Sequence, residues 1–238
     1  MGNHKIGLLV ICLGKYDIFL PPLVQSVNNF FLKNHDVTVF CFTDKEIPDK
    51  KGRINIVKIP IDQEKYRPFV PYATLKRYHM FYENKDFLNE MDYLYYCDAD
   101  MRFVSEVGEE IFPDTETGLV GTEHPGFYGG RRGTYETNKS SEACVSDNEG
   151  IIYYAGGFNG GTKDSFLKMS ECLKKRIDID TNNNVMAIWH DESHMNRYFI
   201  DNIPKTLNPS YCYPESWNIP FEKKLLALDK NHNEIRKE

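Results

Sequence analysis

Apolar residues in the first half of the chain follow two patterns, near-continuous short runs and runs with helical spacing. The run from Lys5 to Cys12 is rich in β-branched residues, which is typical of a buried strand. From Pro21 to Leu32, apolar residues recur at helical intervals and predict an amphipathic helix. The same patterns predict strands at 37–42, 54–59 and 93–97 and a helix from Ala73 to Leu88. This βαββαβ order predicts an α/β fold with a sheet that is at least partly parallel, whose ligands bind beyond the carboxyl ends of the strands.

The second half of the chain is less regular. A short strand is predicted at 118–121, and a loop rich in glycine, arginine and polar residues follows from His124 to Gly150, long enough to cover a site. Helices are predicted from Asp164, as an N-cap, to Leu173 and from about Asp191 onward. The charged residues from Asp229 to Glu238 predict a loose tail.

Two aspartates directly follow the strand predicted at 93–97, in the segment DYLYYCDADMRF. The carboxylates of Asp98 and Asp100 repel each other, and a divalent cation would offset that repulsion. Carboxylate oxygens suit Mg²⁺ or Mn²⁺ ions that also bind substrate phosphates. A solvated turn explains the same residues, so the spacing alone leaves both interpretations open.

Two other segments have features of metal sites, and we interpret both as structural. Asp178 and Asp180 lead into TNNN, which predicts a turn, and the segment lacks the central glycine and closing glutamate of a calcium loop. His190 and His194 in WHDESHMN have the i, i+4 spacing of a helical zinc site. A zinc protease needs glutamate directly after the first histidine, and Asp191 holds that position. We therefore favour a helix entry with one histidine packed in the core.

Two further segments combine glycine or histidine with aromatic residues. YYAGGFNGG, at 153–161, fits either a tight turn, which is the favoured interpretation, or a floor where a ligand approaches the backbone closely. His124 in HPGFY can grip a sugar with its aromatic neighbours, although a histidine beside a proline turn is more often structural.

Composition narrows the class of protein. With 238 residues, 41% hydrophobic and 27% charged, the chain is long enough for one globular α/β domain. A net charge of -6 disfavours nucleic acid or an anionic membrane as the main partner. The six cysteines include no CxxC pair, and the apolar run Ile6 to Leu13 is too short to span a bilayer. We therefore expect free thiols in a soluble, cytoplasmic protein without a transmembrane segment.

Taken together and in order, several segments resemble glycosyltransferase family 6, the family of the histo-blood-group A and B transferases and the α-1,3-galactosyltransferases. The resemblance covers nearly the whole chain, and WHDES, HPGFY and the aspartate pair are specific in combination. The matching segments are YDIF, FTDK, LKRYHM, DYLYYCDADM, GTEHPGFY, YYAGGFNGG, WHDESHMNRYF, NPSYCYPESW and DKNHNEIR.

The resemblance implies a GT-A fold, in which a mixed, mostly parallel sheet flanked by helices forms a Rossmann-like nucleotide-binding half fused to an acceptor-binding half. Residues 1–238 then form a single catalytic domain. Within it, about 1–120 mainly bind the nucleotide sugar, about 121–228 bind the acceptor and carry catalysis, and 229–238 form a lid. The implied reaction is retaining α-1,3 transfer of GalNAc, or as second choice Gal, from a UDP-sugar to a galactose-containing glycan, with Mn²⁺ or Mg²⁺ as cofactor.

The resemblance also implies roles for individual residues. Asp98 and Asp100, with Ala99 between them, match the metal-binding segment of the family, and because both acids are present we predict metal dependence. Glu192 matches the acid beneath the anomeric carbon and is the predicted catalytic residue, with an acceptor contact as well. Double displacement and a same-face route both remain open. The other predicted donor-binding residues are Tyr16, Arg77, Ala155, Gly156, Gly157, Asp191, Lys230 and Arg236, and the other predicted acceptor-binding residues are His124 and Trp189.

Ala155 and Gly157 underlie the predicted donor preference. In the resembling blood-group enzymes, small side chains at these positions accompany GalNAc because the N-acetyl group needs room, so we predict UDP-GalNAc. The sequence departs from the animal members in showing no N-terminal anchor, which favours a bacterial or viral type of enzyme. Tyr213 and Pro214 replace a tryptophan-aspartate pair on the acceptor side, and a fucosylated galactose is one candidate acceptor.

Two other functions fit the residues alone. A metal-dependent hydrolase would use Asp98 and Asp100 with His190 and His194. A sugar-binding module without catalysis would use some of the 15 tyrosines and 15 phenylalanines. Zinc retained without affinity for UDP would indicate the hydrolase, and UDP-sugar binding without UDP release would indicate the module.

Overall fold

A computed structural model of the protein describes residues 2–235. In this range, the strands are β1 (Lys5–Ile11), β2 (Asp36–Thr43), β3 (Lys50–Lys51), β4 (Ile54–Pro60), β5 (Tyr93–Cys97), β6 (Met101–Phe103), β7 (Leu119–Glu123), β8 (Tyr154–Thr162), β9 (Lys205–Leu207), β10 (Tyr213–Pro214) and β11 (Leu225–Ala227). The α-helices are α1 (Leu20–Phe30), α2 (Phe69–Leu75), α3 (Arg77–Glu83), α4 (Lys163–Asn182), α5 (Asp191–Asp201) and α6 (His232–Ile235). Short 3-10 helices cover Gly14–Phe19, Gln63–Tyr66, Lys85–Leu88, Glu109–Ile111 and Pro209–Cys212.

One mixed sheet of eight strands forms the centre of the protein, in the order β3-β4-β2-β1-β5-β8-β7-β9. β1 runs parallel to β2 and β5, and β2 runs parallel to β4. β8 is antiparallel to both of its neighbours, β5 and β7. A small second sheet has the order β10-β11-β6. The predicted α/β fold with a partly parallel sheet is therefore confirmed.

Helices cover both faces of the main sheet, which explains why its central strands are continuously apolar. Successive residues of a strand point to opposite faces, so Leu8 packs on the side of α1 and Leu9 on the side of α3, α4 and α5. Both leucines are fully buried. Burial on both faces is typical of the parallel part of an α/β sheet.

The structure differs from the prediction of one helix from Ala73 to Leu88. The segment forms α2, α3 and a 3-10 turn instead, because Lys76 and Asn84 leave the helical backbone region, with φ and ψ of -101° and 19° and of -109° and 21°. The break before Arg77 lets this arginine begin a new helix, with its side chain directed toward the end of β5.

The favoured turn at 153–161 was wrong, because this segment forms most of strand β8. Its glycines are needed for close packing in a sheet: a Cβ atom on Gly160 would lie 2.3 Å from the ring of Tyr95 on the neighbouring strand. A bulky aromatic side chain on β5 therefore requires glycine opposite it on β8.

The predicted turn TNNN is partly confirmed, because residues 183–184 form a turn, whereas Thr181 and Asn182 still belong to α4, as do Asp178 and Asp180. The helix is capped by Thr162 rather than Asp164, and it continues beyond Leu173 to Asn182. Both aspartates are held by partners from elsewhere in the chain, since Asp178 pairs with His79 and Asp180 accepts two hydrogen bonds from the long loop.

Among residues 2–235, every helix is too short or too polar to cross a lipid bilayer. The six cysteines all lie in this range, and none of them forms a disulfide.

Candidate functional site

The site is built where the carboxyl end of β5 meets the amino end of β8. These strands are antiparallel neighbours, with Cys97 paired to Phe158. Directly beyond this pair, the backbone N–H of Asp98 donates a hydrogen bond of 2.9 Å to the carbonyl oxygen of Gly157. The register therefore places the two aspartates after β5 against the glycines at the start of β8.

A cleft at this strand end has a cavity volume of about 300 Å³. An adjoining cavity of about 430 Å³ shares the aspartates, Glu192 and the glycines with it, and it is also lined by His124 and Ala155. Arg236 lies outside the described residues. The other predicted site residues all line the first cavity: Tyr16, Arg77, Asp98, Ala99, Asp100, Gly156, Gly157, Trp189, Asp191, Glu192 and Lys230.

Arg77 connects three parts of this cleft. Its Nε lies 2.7 Å from Oδ2 of Asp191, and its Nη1 lies 3.5 Å from Oδ1 of Asp98. Nη1 also donates a hydrogen bond of 3.0 Å to the carbonyl oxygen of Gly156. The guanidinium stacks over the ring of Tyr96 at 4.4 Å from the centroid. The side chain is buried, so α3 holds the acids and the glycine floor in one arrangement.

Asp191, the first residue of α5, is only 1% exposed. Burial raises the pKa of its carboxyl, while Arg77 acts in the opposite direction. Within the described residues, its Oδ1 has no hydrogen-bond partner. A buried carboxylate oxygen without a partner is unfavourable, and a hydroxyl group of a ligand in the cleft would satisfy it.

Glu192 is the second residue of α5, and two hydrogen bonds orient its carboxylate. The hydroxyl of Tyr153 donates to Oε1 at 2.9 Å, and the backbone N–H of Gly156 donates to Oε2 at 2.7 Å. A Cβ atom on Gly156 would lie 3.2 Å from Oε2, so glycine permits this close approach. Burial raises the pKa of Glu192, and both hydrogen bonds oppose that shift. The carboxylate is therefore oriented before any substrate binds.

Asp98 and Asp100 fit the requirements of a divalent cation that also binds substrate. The hydroxyl of Tyr96 donates to Asp98, and the ammonium of Lys230 pairs with Asp100. Among residues 2–235, no group of three or more histidine, cysteine or acidic side chains is arranged to hold a metal ion. Two carboxylates are nevertheless the usual protein share for Mg²⁺ or Mn²⁺ when phosphate oxygens and water complete the coordination shell. The aspartate pair therefore fits a cation bound jointly with a diphosphate.

In the described part of the C-terminal tail, Lys230 lines both cavities and His232 lines the second, while residues 231–234 are exposed. The ammonium of Lys230 lies 5.3 Å from the ring centroid of Tyr16. The backbone N–H of Leu228 donates to the carbonyl oxygen of Asp100 at 3.0 Å. Near the end of the described chain, Lys15 Nζ donates to the carbonyl oxygen of Glu234 at 3.0 Å.

The two histidines of WHDESH do not form a joint site. His190 lines the cleft just before α5, whereas His194 is fully buried with its Nε2 3.5 Å from Oδ2 of Asp180. The interpretation as a helix entry with one core histidine is confirmed. His124 packs on Phe127 at 4.9 Å between ring centroids, and burial lowers its pKa to about 4, so its imidazole is neutral at pH 7.

Sequence reasoning missed Tyr96 and Tyr153, the two phenols that orient the acids of the site. Tyr96 was detectable, because it precedes Asp98 by two residues at the end of a strand and therefore points to the same face. Tyr153 had no such signal, since Glu192 is distant in sequence.

Comparison of the sequence with known proteins gives one family model and several relatives. The chain matches the model of glycosyltransferase family 6 over residues 1–237. It is 34% identical over 248 residues to histo-blood group ABO system transferase 1 of Rattus norvegicus, covering 98% of this chain and 69% of that protein. It is 32% identical over 249 residues to globoside alpha-1,3-N-acetylgalactosaminyltransferase 1 of Mus musculus, with coverage of 98% and 69%. Identity to the O-antigen biosynthesis glycosyltransferase WbnI of Escherichia coli is 27% over 227 residues, 94% of each chain.

Proposed function

Since the chain belongs to glycosyltransferase family 6, we propose that it transfers GalNAc from UDP-GalNAc, with retention and in α-1,3 linkage, to a galactose-containing glycan. The mixed, mostly parallel sheet is that of a GT-A fold. The single observation that carries the proposal is the oriented carboxylate of Glu192 on the floor of the cleft that also holds the aspartate pair.

The diphosphate of the donor is proposed to bind at Asp98, Asp100 and Lys230. A divalent cation held by the two aspartates would supply Lewis-acid stabilisation of the charge that develops on the departing UDP. Lys230 lies at the same carboxylate and adds a second positive charge on the tail side. Tyr16 belongs to the 3-10 helix Gly14–Phe19 and lines the wall of the cleft. Its ring is proposed to contact the uracil.

The donor sugar is proposed to lie between Asp191 and Glu192. The unpartnered Oδ1 of Asp191 accepts a hydrogen bond from a sugar hydroxyl, while Arg77 holds this side chain in place and opposes the rise of its pKa that burial causes. When the bond from the anomeric carbon to UDP breaks, its electron pair leaves with UDP and the carbon becomes positively charged. The Glu192 carboxylate stabilises that charge, the hydroxyl oxygen of the acceptor forms the new bond on the face that UDP has left, and the hydroxyl proton passes to the departing diphosphate of UDP.

The acceptor is proposed to bind against His124 and Trp189. The neutral imidazole of His124 can hydrogen-bond a sugar hydroxyl, and the half-exposed ring of Trp189 offers an apolar face. On the donor side, Ala155 is a small buried residue at the wall of the second cavity and leaves room for an N-acetyl group.

Release of UDP from UDP-GalNAc and from UDP-Gal tests the proposal, measured with Mn²⁺, with EDTA, and with fucosylated and unfucosylated galactosides. The expected result is metal-dependent release that is faster with UDP-GalNAc and accelerated by an acceptor. Faster release from UDP-Gal overturns the donor choice. Retained zinc without UDP affinity points to a hydrolase, and UDP-sugar binding without release under any condition points to a binding module.

A further inference from the structure

The turn at 187–190, which precedes α5, has a strained backbone. The turn is closed by a hydrogen bond of 2.9 Å from His190 N–H to the carbonyl oxygen of Ala187. His190 has φ 53° and ψ -125°, a combination that residues with a Cβ atom rarely adopt. Such a conformation costs about 1–3 kcal/mol and persists only when surrounding contacts hold it. The turn carries Trp189 and His190 into the cleft, so the contacts that hold it also set the shape of the site.

A buried acid from the long loop provides one of these contacts. Glu136 is 8% exposed, and its Oε2 accepts a hydrogen bond of 2.7 Å from the backbone N–H of Ile188. Its Oε1 accepts a second bond of 2.7 Å from the N–H of Asn138, within the loop. From α5, Ser193 Oγ accepts a hydrogen bond of 3.0 Å from the N–H of Trp189. Two side chains from different elements therefore hold consecutive amides of the strained turn.

Glu136 itself sits on a well-anchored part of the loop. Its carbonyl oxygen accepts from the N–H of Val145 at 2.8 Å. Asp180 of α4, which is 2% exposed, accepts from Ser141 Oγ at 2.5 Å and from the N–H of Glu142 at 2.8 Å. These contacts hold the loop against α4, and the hydrogen bond from Ile188 to Glu136 joins the turn at 187–190 to this part of the loop.

We propose that Glu136 is a positioning residue for acceptor binding, acting through the turn at 187–190. This inference rests on the proposed function, because it assumes that Trp189 contacts the acceptor. The donor side has its own supports, since Arg77 holds Asp191 and Gly156 with Tyr153 holds Glu192. Loosening the turn therefore weakens acceptor use and leaves the acceptor-independent reaction of the donor with water nearly intact.

The test is Glu136→Leu, which keeps much of the side-chain volume but has no oxygen to accept the hydrogen bond from Ile188. Ser193→Ala removes the hydrogen bond to Trp189, and Glu142→Leu removes an exposed acid of the same loop as a matched control. In the first two variants we expect the acceptor KM to rise about fivefold or more, the change that loss of one hydrogen bond typically causes. The rate of UDP-GalNAc hydrolysis should stay within about twofold of that of the unmodified protein. Thermal unfolding shows whether each variant is folded at the assay temperature.

A second measurement follows the turn without substrate. The chain has two tryptophans, so Trp217→Phe leaves Trp189 as the single reporter. In this background, Glu136→Leu should increase acrylamide quenching and lower the fluorescence anisotropy of Trp189, and Glu142→Leu should change neither. Unchanged quenching, or a parallel fall of acceptor transfer and donor hydrolysis, overturns the inference. If the unmodified protein releases no UDP, the proposed function fails, and quenching alone then decides whether Glu136 holds the turn.

Discussion

Arg77 Nε lies 2.7 Å from Asp191 Oδ2, and this ion pair joins two helices beneath the cleft with side chains that are only 7% and 1% exposed. One partner begins α3 and the other begins α5. Removing one member of a buried pair leaves the other as an uncompensated charge, which is far more damaging than loss of a surface pair. The arrangement of the donor side therefore depends on both residues being present together.

Arg77→Met should lower the free energy of unfolding by about 3–5 kcal/mol, because Asp191 remains buried without its partner. The double variant with Asp191→Asn should recover part of this loss, since no buried charge then remains. Urea unfolding at pH 7 measures both effects. Arg102→Met is the matched control, because Arg102 pairs with Glu215 at 3.7 Å on the surface and should change stability by about 1 kcal/mol or less. The prediction is contradicted if Arg77→Met lowers the free energy of unfolding no more than Arg102→Met does.

Glu192→Gln should keep UDP affinity and lower turnover by about a hundredfold or more, the magnitude typical for loss of a charge-stabilising group. Glutamine retains the shape and can still accept from Gly156, so binding is preserved while the negative charge is lost. Calorimetric titration with UDP and single-turnover kinetics separate the two quantities. Full activity in this variant would rule out the role assigned to Glu192.

Asp100→Asn should raise the Mn²⁺ concentration needed for half-maximal UDP release by about tenfold or more. Mutation of a residue that only hydrogen-bonds to a metal ligand already lowers metal affinity by about tenfold or more, and loss of a ligand carboxylate should cost at least as much. Electron paramagnetic resonance of free Mn²⁺ in the presence of UDP gives the affinity without relying on activity. Asp164→Asn changes an exposed aspartate at the start of α4 and serves as the control. Equal Mn²⁺ affinity in both variants would remove Asp100 from the metal site.

Gly157 and Ala155 should respond differently to added bulk. A Cβ atom on Gly157 would lie 3.2 Å from Asp98 Oδ2 and 3.4 Å from Met101 Sδ, so Gly157→Ala should displace the carboxylate that is proposed to bind the metal and should weaken Mn²⁺ binding. Ala155→Met instead fills space for the sugar and should shift the ratio of kcat/KM for UDP-GalNAc over UDP-Gal toward Gal by about tenfold. The two donors and an Mn²⁺ titration distinguish these effects. A donor shift in Gly157→Ala without loss of Mn²⁺ affinity would show that Gly157 acts on the sugar alone.

His194 should make the protein less stable in acid. Burial lowers the pKa of His194 from an ordinary 6.5 to about 4. The positive charge of Arg176 also lowers it, whereas the nearby carboxylates of Asp180 and Glu136 act in the opposite direction. As the pH falls from about 6.5 to about 4, the unfolded chain takes up a proton that the folded chain does not. Stability therefore decreases with a slope of up to about 1.4 kcal/mol per pH unit, and the contribution is fully present above pH 6.5.

His194→Gln isolates this contribution, because the pKa values of His79 and His124 are also lowered by burial and remain in the variant. Urea midpoints at pH 7, 5.5 and 4.5 should converge for the two proteins as the pH falls. A constant difference between them at all three values would mean that His194 does not titrate in this way.

The parallel part of the sheet was predictable because its strands are buried on both faces and are therefore apolar almost without interruption, as in β1 and β5. β8 was not predictable from such a pattern. Its glycines look like turn residues, yet Gly160 is there because the ring of Tyr95 occupies the space of a side chain. Tyr95 lies on another strand, so the local sequence of β8 does not reveal why glycine is needed there.

Many residues of the candidate site could be predicted from the sequence, but the contacts between them could not. The aspartate pair was visible at the end of a strand, whereas its pairing with Lys230 and the hydrogen bond from Tyr153 to Glu192 join distant parts of the chain. The polar end of α4 was misinterpreted for the same reason, because the partners of Asp178 and Asp180 are set by tertiary structure.

The antiparallel pairing of β5 with β8 has a consequence for evolution and for engineering. A ladder of backbone hydrogen bonds sets the distance from the aspartate pair to the glycine floor, and the long stretch of chain between the two strands does not. Exposed segments of that stretch that stay clear of the aspartate pair, of β6 and β7, of Tyr153 and of Glu136 with its anchor can be exchanged or lengthened by loop grafting without changing the proposed donor chemistry. New acceptor preferences could therefore arise on this scaffold by recombination of one segment, while the reacting centre is inherited unchanged.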